Sequence, residues 1–398
     1  MTLPSELLEK TMVETGSTGF GALFRSQRVD MESLQKHFHS VLLQDFRRQL
    51  TLEQRPSYEK TTVFGFLDFS PFMTSAMESV VQDNFSICFE CMPREPWNWN
   101  LYLFPMYLLG VTARYLVLLP LRLGIVFLGL LTYFVGYVLT LLIPRKYSNR
   151  KLQIQRRCLQ LLANCWVASW AGVIKYHGSC PPPGPNQIIV ANHSTVLDII
   201  LMLNDRIVSL IGQKHGGTLG FFQEHVLNCM NNLWFDRLDT KDRTSMSGRI
   251  KEHIMDPASP PLMLFPEGTC VNNEYAVMFK RGAFDLDATI IPVAIKYNRL
   301  FGDAFWNSKL HSFPRYCLRL WTSWCVVADV WYLEAQTIRP GETSIQFAAR
   351  VKEMICTQAG LTSVPWDGYL KYFRPSEREK RARQAVFADL IKQRFDLS

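Results

Sequence analysis

Apolar and polar positions follow two regimes along this chain. From Leu123 to Ile143, "LGIVFLGLLTYFVGYVLTLLI" carries no charge, and at about 1.5 Å per residue it is long enough to cross a hydrocarbon core about 30 Å thick. The stretch before it, Leu101 to Leu121, is nearly as apolar but carries Arg114, and Pro120 with Arg122 marks a bend between the two. The pattern predicts a membrane helical hairpin over 101–144; a single span preceded by an interfacial helix is the alternative. The basic run "PRKYSNRKLQIQRR" follows, so the positive-inside tendency puts everything after Pro144 on the cytosolic side, and a hairpin returns the N-terminal region there too. Beyond "PPPGP" (Pro181 to Pro185) the pattern becomes an alternation of short apolar runs and helical periodicity. Expected strands are "QIIVA", "RIVSLIG", "NLWFD", "LMLF", "IIPVAIKY" and "CVVADVWYL". Expected helices lie at about Val196 to Leu203, Gly220 to Met230, Lys241 to Met255 and Phe279 to Leu286. That order predicts an α/β fold, a mixed, largely parallel sheet flanked by helices, with ligands at the carboxyl ends of the strands. The division follows: 1–100 with no readable role, 101–144 in the membrane, a cytosolic domain over 145–370, and a charged helical tail over 371–398.

Composition narrows the class without settling it. The formal net charge of +8 and 13% aromatic residues fit an anionic membrane surface or a phosphorylated substrate as well as nucleic acid. A nucleic-acid partner is not expected, because the positive charge has no aromatic platform or recognition motif beside it. The ten cysteines show no repeating ladder and the N-terminus no secretory signal, so a disulfide scaffold is not expected. Cys88 and Cys91 in "CFEC" have the spacing of half a zinc site, but no second pair follows; a structural reading is preferred, and no metal or cofactor is expected.

The stretch that carries chemistry is "QIIVANHSTVLDIILML". A strand-like run stops at Ala191, a helical pattern starts near Val196, and His193 and Asp198 stand five positions apart across the junction. Within a continuous helix that step would turn the two side chains apart. With His193 in the turn, its imidazole can fold back over the first helical turn, where Asp198 lies. A rival reading needs no catalysis: Thr195-x-x-Asp198 ahead of an apolar run is a capping-box pattern, and His193 is then a polar loop residue. In "MLFPEGTC", a short strand runs into Glu267, Gly268 and Thr269, a turn whose backbone N–H groups suit an anion or oxyanion, or merely form a tight surface turn. "NLWFDR" ends a strand on Arg237, a planar cation suited to phosphate, with a surface salt bridge to Asp236 or Asp239 as the bland alternative. Asn84-Phe-Ser86 and Asn192-His-Ser194 match the glycosylation acceptor pattern, and both are expected to stay unmodified because both should face the cytosol.

"NHSTVLD", the Phe-x-Arg of "WFDR", "FPEGT" and "IIPVAIKY" resemble, in order, the four motifs of the glycerolipid acyltransferases. "GQKHGG", "FPEGTCVNNEYAVMFKRGAF", "KYNRLFGDAFWNSK" and "VPWDG" carry a closer resemblance to the endoplasmic-reticulum glycerol-3-phosphate acyltransferases, from about Leu101 to Asp367. Val196 stands where the family's first motif usually has Pro, and the N-terminal hundred residues lack an expected early hydrophobic stretch. The resemblance implies transfer of a fatty acyl group from acyl-CoA to glycerol-3-phosphate at a membrane lipid surface. It implies His193 as general base, Asp198 as its orienting partner, and Arg237, Glu267, Gly268 and Thr269 at the acceptor; Lys280 and Arg281 add charge for the acceptor or for coenzyme A phosphates, with a solvated face as the alternative. Cys270 is expected to be structural, since His193 already serves as base. Acylation of lysophosphatidate or another lysophospholipid is the alternative within the class, and a silent membrane adaptor the alternative outside it. The implied location is the endoplasmic-reticulum membrane with a cytosolic site, the lipid droplet surface being a second location.

Overall fold

The computed structural model describes residues 84–91, 100–214, 223–224, 227–235 and 240–373, with Arg381 and Gln384 beyond them. Its frame is a seven-stranded sheet in the order β1-β8-β7-β2-β5-β3-β4. The strands are β1 (Val173–His177), β2 (Gln187–Ala191), β3 (Ser209–Gln213), β4 (Leu233–Phe235), β5 (Leu262–Leu264), β7 (Thr289–Asn298) and β8 (Val327–Tyr332). All neighbours are parallel except β7 and β8, so the sheet is mixed and largely parallel, as the alternating pattern predicts. A two-stranded ladder of β6 (Tyr275–Ala276) and β9 (Thr362–Ser363) stands apart.

Helices cover both faces, and β2 shows how the sequence sorts them. Ile189 and Ala191 point into a core shared with Leu159 and Leu162 of α2 (Ser148–Ser169), Leu197 and Leu201 of α3 (Leu197–Asp205), and Tyr316 and Leu320 of α5 (Phe313–Trp321). Ile188 and Val190 point the other way, onto Ile250 and Ile254 of α4 (Thr240–Met255) and Phe347, Val351 and Ile355 of α6 (Ser344–Ala359). A strand apolar on both faces is what a sheet buried on both sides requires. One expected helix is corrected, one is only partly described, and one strand was not expected. Phe279–Leu286 is not a helix but one 3-10 turn at Arg281–Ala283; Lys280 is extended and Gly282 sits at the turn's centre, where glycine costs about 1 kcal/mol of helix stability. Of the expected Gly220–Met230 helix, the described residues hold Gln223 and Glu224 as helix and the 3-10 turn Asn228–Met230, closed by Asn231 in the left-handed region, while the remainder lies outside the described residues. Edge strand β1 was not expected, because its alternation is masked by the polar Lys175 and His177.

The membrane hairpin is also corrected. Leu101–Leu141 is one unbroken apolar helix, α1, long and apolar enough to cross a membrane. Pro120 does not reverse the chain. A six-residue π segment, Ala113–Leu118, precedes it, and the Leu119 N–H bonds back to the Arg114 carbonyl, so the helix absorbs the hydrogen bond a proline cannot make. Arg122 is buried and donates to the carbonyls of Trp321 (2.7 Å), Ser323 (2.6 Å) and Trp324 (2.6 Å), a cation set on the C-terminal end of α5. The chain turns back only after Leu141, and α2 returns along α1. The helices approach closely where α1 has no side chain: a Cβ on Gly129 would lie 2.6 Å from Cys165 Cβ, and one on Gly136 2.7 Å from Cys158 Sγ.

Part of the N-terminal region belongs to the domain. Residues 84–89 form a 3-10 helix whose Phe85, Cys88 and Phe89 are buried against Val271, Val277, Val364, Trp366 and Leu370. Asn272 holds this strap with its backbone N–H on the Cys88 carbonyl (2.7 Å) and its carboxamide on the carbonyls of Ile87 and Glu90. Asn307 donates to the Phe89 carbonyl.

Candidate active site

β2 ends at Ala191 opposite Val293 of β7. One residue on, the Asn192 carboxamide takes the place of a strand: it donates to the Ile295 carbonyl (2.9 Å) and accepts from the Ile295 N–H (2.8 Å). Asn192 is therefore buried in the sheet edge and closed to glycosylation on either side of a membrane. This pairing fixes the turn that presents His193, whose ring stacks on Phe265 at the end of β5 with centroids 4.2 Å apart. His193 Nδ1 lies 2.9 Å from Asp198 Oδ2. The same oxygen accepts from the backbone N–H of Ser194 (2.8 Å) and Thr195 (3.0 Å). Capping and orientation are thus not rivals here, since one buried carboxylate ties down the start of α3 and holds the imidazole.

The other face of the imidazole meets the Glu267–Cys270 turn. Glu267 is buried, and its Oε2 accepts the His193 backbone N–H at 3.0 Å. Burial pushes its carboxyl up to about 8, against the pull of that N–H, and among the described residues its Oε1 has no hydrogen-bond partner. Gly268 is exposed with φ +69, the left-handed region, and a Cβ there would lie 3.1 Å from Lys280 Nζ. Lys280 sits against this turn and 3.6 Å from Asp367 Oδ1. Thr269 is half-buried beside it. Cys270, expected to be structural, comes within 3.4 Å of His193 Nε2, the ring nitrogen that Asp198 does not hold. Burial works against the imidazolium while Cys270 and Asp198 favour it, and the balance carries the His193 pKa above its ordinary value. Arg281 pairs with Asp285. Arg237 lies outside the described residues.

Three supports were not read from the sequence. The Tyr297 hydroxyl donates to Asp198 Oδ1 at 2.6 Å; the signal was its place at the end of the apolar run "IIPVAIKY". Tyr316 bonds Thr195 Oγ1 and donates to the Ala304 carbonyl. Lys371, 1% exposed, donates to the Cys270 carbonyl at 2.9 Å and puts a buried cation behind the turn.

An Acyltransferase family model matches residues 173–296, which span β1 through most of β7. Glycerol-3-phosphate acyltransferase 3 of Mus musculus is 36% identical over 97% of this chain and 90% of its own length. The Homo sapiens protein of that name is 35% identical over 97% of this chain and 91% of its own length. Glycerol-3-phosphate acyltransferase 4 of Mus musculus is 35% identical over 84% and 75%. A crystal structure of the 1-acyl-sn-glycerophosphate acyltransferase of Thermotoga maritima aligns with TM-score 0.44 and 17% identity, over 69% of this chain and 99% of that one.

Proposed function

The chain belongs to the glycerolipid acyltransferase family, among the glycerol-3-phosphate acyltransferases, and from that premise we propose that it moves a fatty acyl group from acyl-CoA to the sn-1 hydroxyl of glycerol-3-phosphate, giving lysophosphatidate. The observation that carries the chemistry is the His193–Asp198 pair, with Nδ1 committed to the carboxylate and Nε2 facing the Glu267–Cys270 turn. An alcohol is a poor nucleophile at neutral pH. Nε2 takes its proton as the oxygen attacks the thioester carbonyl, Asp198 stabilises the imidazolium, and the imidazolium returns the proton to the departing CoA thiolate. Because the His193 pKa is raised, kcat/KM falls as pH drops through a value above 6.5.

Acceptor binding is assigned to Arg237, Gly268, Thr269 and Lys280, with Glu267 behind them. Burial raises the Glu267 carboxyl well above the usual carboxylate range, which favours its neutral form behind an anionic acceptor, while its Oε2 braces the His193 backbone. The apolar helix α1 and the basic run after it support a membrane enzyme, placed here at the endoplasmic reticulum with its site on the cytosolic face. Purified protein given radiolabelled glycerol-3-phosphate, or lysophosphatidate side by side, with acyl-CoA tests the acceptor. Arg237→Ala should lower kcat/KM for glycerol-3-phosphate at least about tenfold, a charge-assisted contact being worth about 1.5–3 kcal/mol, with the acyl-CoA KM nearly unchanged. A wild-type preference for lysophosphatidate replaces the acceptor and leaves the His193 chemistry standing.

Cys270 raises a covalent route, in which its sulfur takes the acyl group first. Direct attack needs only one base and one acceptor, so the thiol has to turn aside as the hydroxyl arrives. Cys270→Ala should keep more than about a tenth of wild-type kcat, since no group of the direct route is lost. Intact mass of the wild type in acyl-CoA should show no added acyl chain. An inactive Cys270→Ala together with an acylated Cys270 in the wild type would install the covalent route instead.

A further inference from the structure

We propose that Tyr297 is a positioning residue for the transfer: its hydroxyl holds Asp198 and sets how strongly that carboxylate acts on His193. The proposal rests on the acyl-transfer reading above and adds to it a control on the basicity of the site. Tyr297 is 2% exposed and Asp198 fully buried, and the 2.6 Å bond between them lies in the same closed layer as the imidazole. Among the described residues, Tyr297 is the donor to Oδ1, while Oδ2 receives His193, Ser194 and Thr195. The phenol is not placed by packing alone. The Tyr297 backbone N–H donates to Asn273 Oδ1 at 2.9 Å, its carbonyl accepts from the Asn273 carboxamide, and two residues earlier Ile295 is paired with Asn192. Asn192 precedes the catalytic histidine and Asn273 follows Cys270 by three positions. The two loops that carry the reacting groups therefore fix the strand segment whose hydroxyl holds the carboxylate between them.

Each donor to a buried carboxylate draws charge from it and lowers its pull on a neighbouring cation. With four donors, Asp198 orders the imidazole without binding its proton so tightly that His193 fails as a base. Removing the phenol hydroxyl leaves Oδ1 without its donor and concentrates charge toward Nδ1, so the imidazolium is favoured and the base is populated only at higher pH. The other titratable groups around His193 are Cys270 and Glu267 on the turn, Tyr316 of α5 through Thr195, and Lys371 behind the Cys270 carbonyl. A change at Tyr297 leaves all of them in place.

The test is the pH profile of kcat/KM for the acceptor in full-length Tyr297→Phe, a variant that keeps the ring and its packing. The acidic limb should move up by about half to one pH unit, plateau kcat should fall about threefold to thirtyfold, and both KM values should stay within about twofold. In an Asp198→Asn background the same substitution should shift nothing, because the carboxylate through which it acts is gone. A uniform loss at every pH, an unmoved limb, or an equal shift in the Asp198→Asn background overturns the proposal. A wild type that acylates no acceptor defeats the acyl-transfer reading itself, whereas an active wild type with an unmoved Tyr297→Phe limb defeats only the role of Tyr297.

Discussion

Asp198→Asn should lower kcat by about 10³–10⁴ while the protein expresses and melts near the wild-type temperature. The size is that of the corresponding change in hydrolase triads, where the geometry survives but the carboxylate charge and the tautomer it enforces do not. Here the fold can accept the substitution. An asparagine carbonyl oxygen in the place of Oδ2 still receives the Ser194 and Thr195 N–H groups, and its amide can face the Tyr297 hydroxyl, whose oxygen accepts. The start of α3 therefore stays tied down, as a cap of either residue type would tie it. What is lost is the negative charge 2.9 Å from Nδ1 that stabilises the imidazolium formed during attack. Steady-state kcat beside a melting curve separates the two roles. Activity equal to wild type would reduce Asp198 to a cap, and a fall in melting temperature matching the loss of activity would make it structural.

Phe89→Ala should cost about 3–5 kcal/mol, a large-to-small change in a closed core, and lower the melting temperature by on the order of 10 °C. Phe89 is 4% exposed and lies with Phe85 and Cys88 against Val271, Val277, Trp366 and Leu370. It is also roped to the reactive turn, since Asn272, which holds the strap through the Cys88 carbonyl, stands two residues after Cys270. Activity should fall at temperatures where the melted fraction is still small, because loosening Asn272 loosens the turn at His193 Nε2. Ser86→Ala, on the exposed side of the same 3-10 helix, should change either quantity little. Differential scanning in detergent with acyl transfer measured in parallel checks both, and a Phe89→Ala protein as stable and active as Ser86→Ala would detach the strap from the site.

The His193–Asp198 contact was legible because its geometry is local. Five residues across a strand-to-helix junction fix what His193 and Asp198 can do, and the strands "QIIVA" and "IIPVAIKY" announce themselves by apolar content. Glu267 was legible as a site residue but not in its direction: it turns inward to the His193 backbone, and nothing in "FPEGTC" distinguishes that from a turn facing solvent. The approach of Cys270 to Nε2 was not legible for the same reason, since it depends on how the turn after β5 lies across the turn after β2. The hairpin expectation failed because proline was read as a bend. A π segment upstream lets a helix run through Pro120, and Arg122, read with Pro120 as part of that bend, is used to cap α5. The strap escaped notice because three buried side chains in a six-residue turn carry no periodicity.

The carboxamides of Asn192 and Asn273 link partners 103 and 24 residues away, and the Tyr297–Asp198 bond closes a span of 99. The contacts of Asp198 with His193, Ser194 and Thr195 are short in sequence, at five, four and three residues. Contacts of long range are reached late on a folding path, because the entropy of closing the intervening chain must be overcome before they return anything. A nascent chain that has made β2 and α3 therefore holds both reacting side chains without a working site. Competence waits for β7, about a hundred residues further along, to reach the centre of the sheet. A chain cut before Thr289 keeps His193 and Asp198 but lacks Ile295 and Tyr297, the partners of Asn192 and Asp198.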